Sequence, residues 1–139
     1  MNVLIVDDDK NILEMLKNAF LFNTDYNVIV MTNPIEAFDY CCKEKVDVLI
    51  TDLMMPEMNG IDLIKKVKER NGIIQIIAIT GYARLNLVTS ALRRGAFEIF
   101  LKPFSDVNVL IDCVRDIEKR IARWKVIIAE IISKEQKGE

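Results

Sequence analysis

The sequence predicts an α/β fold: a doubly wound parallel sheet of five strands, with a C-terminal helix that outruns the domain. Two observations carry this. Short apolar runs rich in Val and Ile alternate with amphipathic stretches of ten or more residues, the rhythm of βα units around a sheet buried on both faces. After the fifth unit, apolar residues keep recurring three and four positions apart instead of stopping.

The first strand is Val3 to Val6, ended by Asp7-Asp8-Asp9. A helix follows from about Lys10 to Phe22, with Asp9 as its cap. Tyr26 to Met31 is the second strand, and Pro34 to Lys43 the second helix, with Asn33 as cap and proline in the first turn. Val46 to Thr51, Ile74 to Ile79 and Phe97 to Leu101 complete the sheet. Helices from Gly60 to Arg70, from Arg84 to Arg94 and from Asp106 onward follow them, the last capped by Ser105.

With 139 residues, 51% of them apolar, the chain can bury a proper core, and one domain is expected. A net charge of -2 provides no basic field for a polyanion, so direct nucleic-acid binding is not expected. Cys41, Cys42 and Cys113 form no Cys-x-x-Cys pair and no disulfide framework, and are expected as buried reduced thiols. The start, Met1-Asn2-Val3-Leu4-Ile5-Val6, lacks a basic leader and runs straight into acids. Neither a signal peptide nor a membrane span is expected, and the protein is expected in the cytoplasm.

Doubly wound sheets place ligands beyond the carboxyl ends of their strands, where strand order reverses. Asp7 and Asp8 follow the first strand and Asp52 the third, so if those strands are neighbours, carboxylates converge at one rim. Ionised carboxylates in contact repel unless protons or a cation neutralise them, and oxygen-only ligation suits Mg²⁺. The plain alternative is that these aspartates serve turns and caps, which holds for Asp9. It is weaker for the others, because the remaining strand ends bring Thr80-Gly81 and Lys102-Pro103, a hydroxyl and an ammonium facing the acids.

Val6-Asp7-Asp8, Asp52-Leu53-Met54-Met55-Pro56-Glu57-Met58-Asn59-Gly60, Thr80-Gly81 and Phe100-Leu101-Lys102-Pro103-Phe104 resemble the receiver domain of two-component response regulators, over roughly residues 1 to 120. The resemblance implies a flavodoxin-like sheet in the order 2-1-3-4-5. It implies Asp52 as phosphoacceptor and Asp8 and Asp52 as direct Mg²⁺ ligands. Asp7 would hold the ion mostly through water, and the Met54 carbonyl would be a further ligand. Lys102 would pair with the acyl phosphate and Thr80 would hydrogen-bond a phosphoryl oxygen, with a cis Lys-Pro bond common at this place. Metaphosphate-like transfer from a phosphohistidine needs its equatorial oxygens neutralised, which Mg²⁺ and Lys102 can do. The chain has no histidine, so the donor imidazole must come from another protein or domain, implied to be a sensor histidine kinase or phosphotransfer protein, with a small-molecule phosphodonor as the only substitute. Many relatives carry Tyr or Phe three residues before the lysine. This chain has Ile99 there, which departs from an aromatic-switch mechanism. Helix four, strand five and helix five would form the output face, and Ile79-Thr80-Gly81 with a helical extension is similar to receivers of sigma-54-dependent transcription activators.

Leu110, Val114, Ile117, Ile121, Trp124, Ile128 and Ile131 form a heptad seam. A helix from Asp106 to Lys134 would extend about 43 Å, against about 35 Å for a domain of this size. Residues 121–139 therefore read as an extension serving as linker or dimerisation segment, and a homodimer is expected; folding back on its own domain is the plain alternative. Two other functions compete. A hydrolase or mutase with an aspartyl-phosphate intermediate would resemble dehalogenase-like enzymes, which carry an aspartate two residues after the nucleophile, where Met54 stands. An unphosphorylated receiver-like interaction module would have lost one of the acids or the lysine, yet all are present. The expectation is a phosphoacceptor switch and not an enzyme.

Overall fold

In the computed structural model, which describes residues 1–82 and 84–138, the first four strands are short runs rich in Val and Ile, whereas the fifth, Ala-Phe-Glu-Ile-Phe-Leu, holds a single β-branched residue. The chain forms two compact units, Met1–Val107 and Asn108–Glu139. In the first, β1 (Asn2–Val6), β2 (Asn27–Met31), β3 (Val48–Asp52), β4 (Gln75–Thr80) and β5 (Ala96–Leu101) alternate with α1 (Lys10–Asn23), α2 (Pro34–Lys43), α3 (Gly60–Arg70) and α4 (Leu85–Arg94). The sheet is parallel in the order β2-β1-β3-β4-β5, as the sequence reading expected.

The two-residue period of a strand divides the core. Leu4, Val6, Leu49, Leu53, Ile76 and Ala78 belong to a cluster with Ala37, Leu63, Ile64, Val67 and Ala91 from α2, α3 and α4. Val3, Ile5, Ile50 and Ile77 alternate with them and are also buried, as are Leu13, Leu16 and Phe20 of α1. Register fixes the rim: Val6 lies opposite Thr51, and Asp52 opposite Ile79.

The strand ends shift slightly from expectation. β3 extends to Asp52 and β4 to Thr80, because both residues continue the ladder, Asp52 against Ile79 and Thr80 against Leu101. The two key side chains thus stand on strands, not on loops.

Asp9 caps α1, accepting from the Asn11 amide at 2.9 Å and the Ile12 amide at 3.4 Å. Asn33 caps α2, accepting from Ile35 N–H at 2.8 Å and Glu36 N–H at 3.3 Å, ahead of Pro34. Asn33→Ala is expected to cost about 1 kcal/mol, read as a lower urea midpoint with an unchanged slope; an unmoved midpoint would show the cap idle. The Ser105 cap is a correction: the last helix begins at Val107, so Ser105 lies one residue too far upstream for the capping position. The cysteine expectation is corrected in part. All three are free, but only Cys41 is buried, while Cys42 and Cys113 are half-buried.

The second unit is essentially one helix, α5 (Val107–Gln136), of 30 residues. Leu110, Ile111, Val114, Ile117 and Ile121 are its buried residues. From Lys125 to Gly138 every residue is exposed. The Arg120 guanidinium lies over the Trp124 ring, 5.8 Å from its centroid. Among the described residues, no helix is long and apolar enough to cross a membrane.

Candidate functional site

Adjacency of β1 and β3 brings together the acids that the sequence left 45 residues apart. Asp7, Asp8 and Asp52 each offer a carboxylate oxygen, and these oxygens lie within 4.8 Å of one another. Asp7 and Asp52 are buried and Asp8 is exposed, so the cluster opens to solvent on one side. Lys102, directly after β5, reaches across: its Nζ donates to Asp7 Oδ2 at 2.8 Å and stands 3.4 Å from Asp52 Oδ2. The Lys102-Pro103 bond is cis.

Main-chain groups hold the carboxylates in place. Asp7 Oδ1 accepts from the Asp9 amide at 2.9 Å, which ties the acid to the first turn of α1. Asp52 Oδ1 accepts from the Met54 amide at 3.3 Å. Met54 thus touches the site through its N–H, while its side chain is exposed. Thr80 is fully buried, and its hydroxyl oxygen accepts from Tyr82 N–H at 3.0 Å. The Thr80 carbonyl accepts from the Lys102 amide at 2.8 Å, which fixes the lysine's strand end to that of the threonine.

Electrostatically, the site is short of positive charge. Burial pushes the Asp7 carboxyl above its ordinary range, and the hydrogen bonds from Lys102 and the Asp9 amide only partly oppose this. Burial also raises Asp52, reinforced by the charge of Asp7 and opposed by Lys102 and the Met54 amide. For Lys102, burial pulls the ammonium's pKa down. The Asp7 hydrogen bond and the charges of Asp52 and Asp7 outweigh that, so it is raised overall and the lysine stays protonated. One ammonium thus faces three carboxylates, and the donor set is all oxygen. Such a cluster suits a hard divalent cation, whose charge would favour the ionised carboxylates that burial and, to a lesser degree, mutual repulsion disfavour.

Sequence reasoning gave no role to Gly60. A Cβ there would collide with the Asp52 carbonyl oxygen and stand 2.7 Å from Leu53 Cα. The Gly60 amide also donates to the Leu53 carbonyl at 2.9 Å. The start of α3 therefore presses directly on the backbone that carries Asp52. In the sequence Gly60 showed as the last residue of the run that resembles the receiver domain and as the glycine after Asn59, and neither points to this contact.

The family model described as the response regulator receiver domain matches residues 3–115. Sporulation initiation phosphotransferase F of Bacillus subtilis is 33% identical over 113 residues, covering 81% of this chain and 90% of that protein. The DNA-binding transcriptional regulator NtrC of Escherichia coli is 31% identical over 123 residues, covering 88% of this chain but only 25% of NtrC. The solution structure of the beryllofluoride-activated NtrC4 receiver domain dimer matches with a TM-score of 0.78 at 27% identity, covering 86% of this chain and 97% of that one.

Proposed function

The chain belongs to the response regulator receiver domain family, a family of phosphoacceptor switches rather than enzymes, and from that premise we propose that it takes a phosphoryl group from a histidine kinase or phosphotransfer protein onto Asp52. The carrying observation is the cluster itself: three carboxylates with oxygens within 4.8 Å and one ammonium bridging two of them.

The residues divide the work. Asp52 Oδ attacks the phosphorus of a phosphohistidine, the P–N bond breaks, and the electron pair leaves on the donor's imidazole. Asp7, Asp8 and Asp52, with the Met54 carbonyl, would hold Mg²⁺, which supplies charge for the equatorial oxygens. Lys102 moves from its carboxylate partners to the phosphoryl oxygens, and the Thr80 hydroxyl, whose oxygen accepts from the Tyr82 amide, donates its own hydrogen to the new group. Residues 1–120 act as the receiver and 121–139 as the helical extension.

Loss of one charge partner is measurable. Lys102→Met is expected to slow phosphorylation by on the order of a hundredfold, the effect of removing one preorganised charge from a transferring group. The rate of adduct growth with acetyl phosphate checks this; an unchanged rate would remove Lys102 from the chemistry.

Phosphorylation adds about -1.5 to -2 charges at Asp52. The surface best placed to respond within the first unit is the groove lined by Leu85, Val88 and Leu92 of α4 and Ile99 and Leu101 of β5. Leu85 follows the loop after Thr80 and is 80% exposed. Ile99 is partly buried against the core cluster, which suits a packed support better than an aromatic rotor.

The apolar face of α5 beyond Ile121 supports a homodimer through that helix, strengthened by phosphorylation. Similarity to NtrC supports a place in transcription regulation, and a cytoplasmic setting follows from a kinase-fed switch. The test is intact mass after acetyl phosphate with Mg²⁺ or with EDTA. A metal-dependent adduct on Asp52 supports the assignment, whereas no adduct, even with histidine kinases, would favour an unphosphorylated interaction module.

A further inference from the structure

We propose that Thr51, the residue before the phosphoacceptor, is a positioning residue for phosphoryl transfer: its hydroxyl fixes the peptide that links Asp52 to Leu53 and so aims the Asp52 carboxylate. The inference rests on the phosphoacceptor reading above and adds to it a residue outside the cluster of acids.

Thr51 is fully buried. The strand period puts it on the face of β3 that carries Leu49 and Leu53, and its ladder partners are Val6 and Ala78. All four belong to the apolar cluster shared with α2, α3 and α4. Valine has nearly the same shape and would bury there without a polar group, so a hydroxyl at this place needs a partner.

That partner is the Asp52 carbonyl oxygen, to which Thr51 Oγ1 donates at 2.9 Å. The ladder with β1 ends at Thr51, opposite Val6, so the hydroxyl supplies a donor just where the sheet on that side stops. The same carbonyl oxygen is the atom that a Cβ on Gly60 would strike.

The groups that follow are held as well. Leu53 N–H donates to the Ile79 carbonyl at 3.2 Å, the Leu53 carbonyl accepts from Gly60 N–H at 2.9 Å, and Met54 N–H donates to Asp52 Oδ1 at 3.3 Å. Two consecutive peptide units thus have all their polar groups engaged, and the second returns to the carboxylate. A tilt of the first would draw the Met54 amide off Oδ1 and turn the carboxylate, whose Oδ2 stands 3.4 Å from the Lys102 ammonium. Apart from the carboxylate itself, the Thr51 hydroxyl is the side-chain member of this set. It can be deleted without altering the backbone or the nucleophile.

The test compares Thr51→Val, which keeps the volume and loses the hydroxyl, with Thr51→Ser, which keeps the hydroxyl and loses a core methyl. Adduct growth with acetyl phosphate and Mg²⁺ is expected to be about tenfold slower in the valine variant and to stay at the wild-type rate in the serine variant. In the metal-free protein, hydrogen exchange at the Met54 amide should be several-fold faster in the valine variant alone. Valine and serine variants slowed alike would place the effect in packing and overturn the proposal. Slow growth with unchanged exchange overturns the route through the peptide. Should the valine variant not fold, as read by circular dichroism, Thr51→Ala takes its place: growth slower than in the serine variant supports the hydroxyl, and equal growth overturns it. A wild type that forms no adduct overturns the phosphoacceptor reading and this inference with it, whereas a valine variant that reacts at the wild-type rate overturns this inference alone.

Discussion

Asp52→Asn is expected to abolish the phosphoryl adduct completely while leaving the fold intact. The amide keeps the shape of the carboxylate, so the buried position at the end of β3 and the contact with the Met54 amide can persist. Its oxygen is no longer the nucleophile that an acyl phosphate requires. Intact mass after acetyl phosphate and Mg²⁺ reads the result directly, and a surviving adduct would move the acceptor elsewhere.

The same substitution is expected to raise the melting temperature when metal is chelated. Asp7 and Asp52 have folded-state pKa values above their ordinary ones. Between the ordinary and the raised values the native state binds more protons, so stability falls as pH rises through that window and is lowest with both groups ionised. Asp52→Asn removes one of the repelling charges. Mg²⁺ should do the same for wild type, adding about 2.7 kcal/mol at a hundredfold excess over its dissociation constant. The variant should respond far less. A wild type whose melting ignores Mg²⁺, or a variant that melts lower under chelation, would contradict this account of the cluster.

Gly60→Ala is expected to cost about 3 kcal/mol or more and to slow phosphorylation as well. The added methyl meets the Asp52 carbonyl oxygen, Leu53 Cα at 2.7 Å and the Asp52 carbonyl carbon at 2.9 Å. All three are backbone atoms of β3 and its exit, with no flexible side chain to yield, so relief must come from moving the strand end or α3. Because that strand end carries the nucleophile, a displacement of about 1 Å can cost on the order of a hundredfold in rate. Gly72→Ala is the control: a Cβ there lies 3.8 Å from the Lys68 carbonyl oxygen, an ordinary contact. Chemical denaturation of the two variants side by side checks the difference, and equal stabilities would show that α3 can shift freely.

The elements were legible because their signals are local. Asn33-Pro34 and Asp9 mark helix starts by their own chemistry, and the Val/Ile runs mark buried strands by composition. The misplaced ends at Asp52 and Thr80 have a nonlocal cause. Their apolar runs stop at Ile50 and Ile79, but ladder partners on the neighbouring strands carry the strands on to Asp52 and Thr80. Cys42 and Cys113 illustrate a related limit: helical spacing says which residues share a face, not how completely that face is covered.

By itself the sequence determined the order of βα units, the acids, hydroxyl and ammonium at the strand ends, and the isoleucine stripe of the last helix. Only the tertiary structure decided that Lys102 sits closer to Asp7 than to Asp52, that the Thr80 hydroxyl is occupied by the Tyr82 amide, and that Gly60 abuts the backbone of Asp52. The physical reason is range. Periods of 2 and 3.6 residues are written in neighbouring side chains, whereas a contact between residues 95 apart, such as Lys102 with Asp7, depends on the register of a whole sheet and on how closely its helices approach.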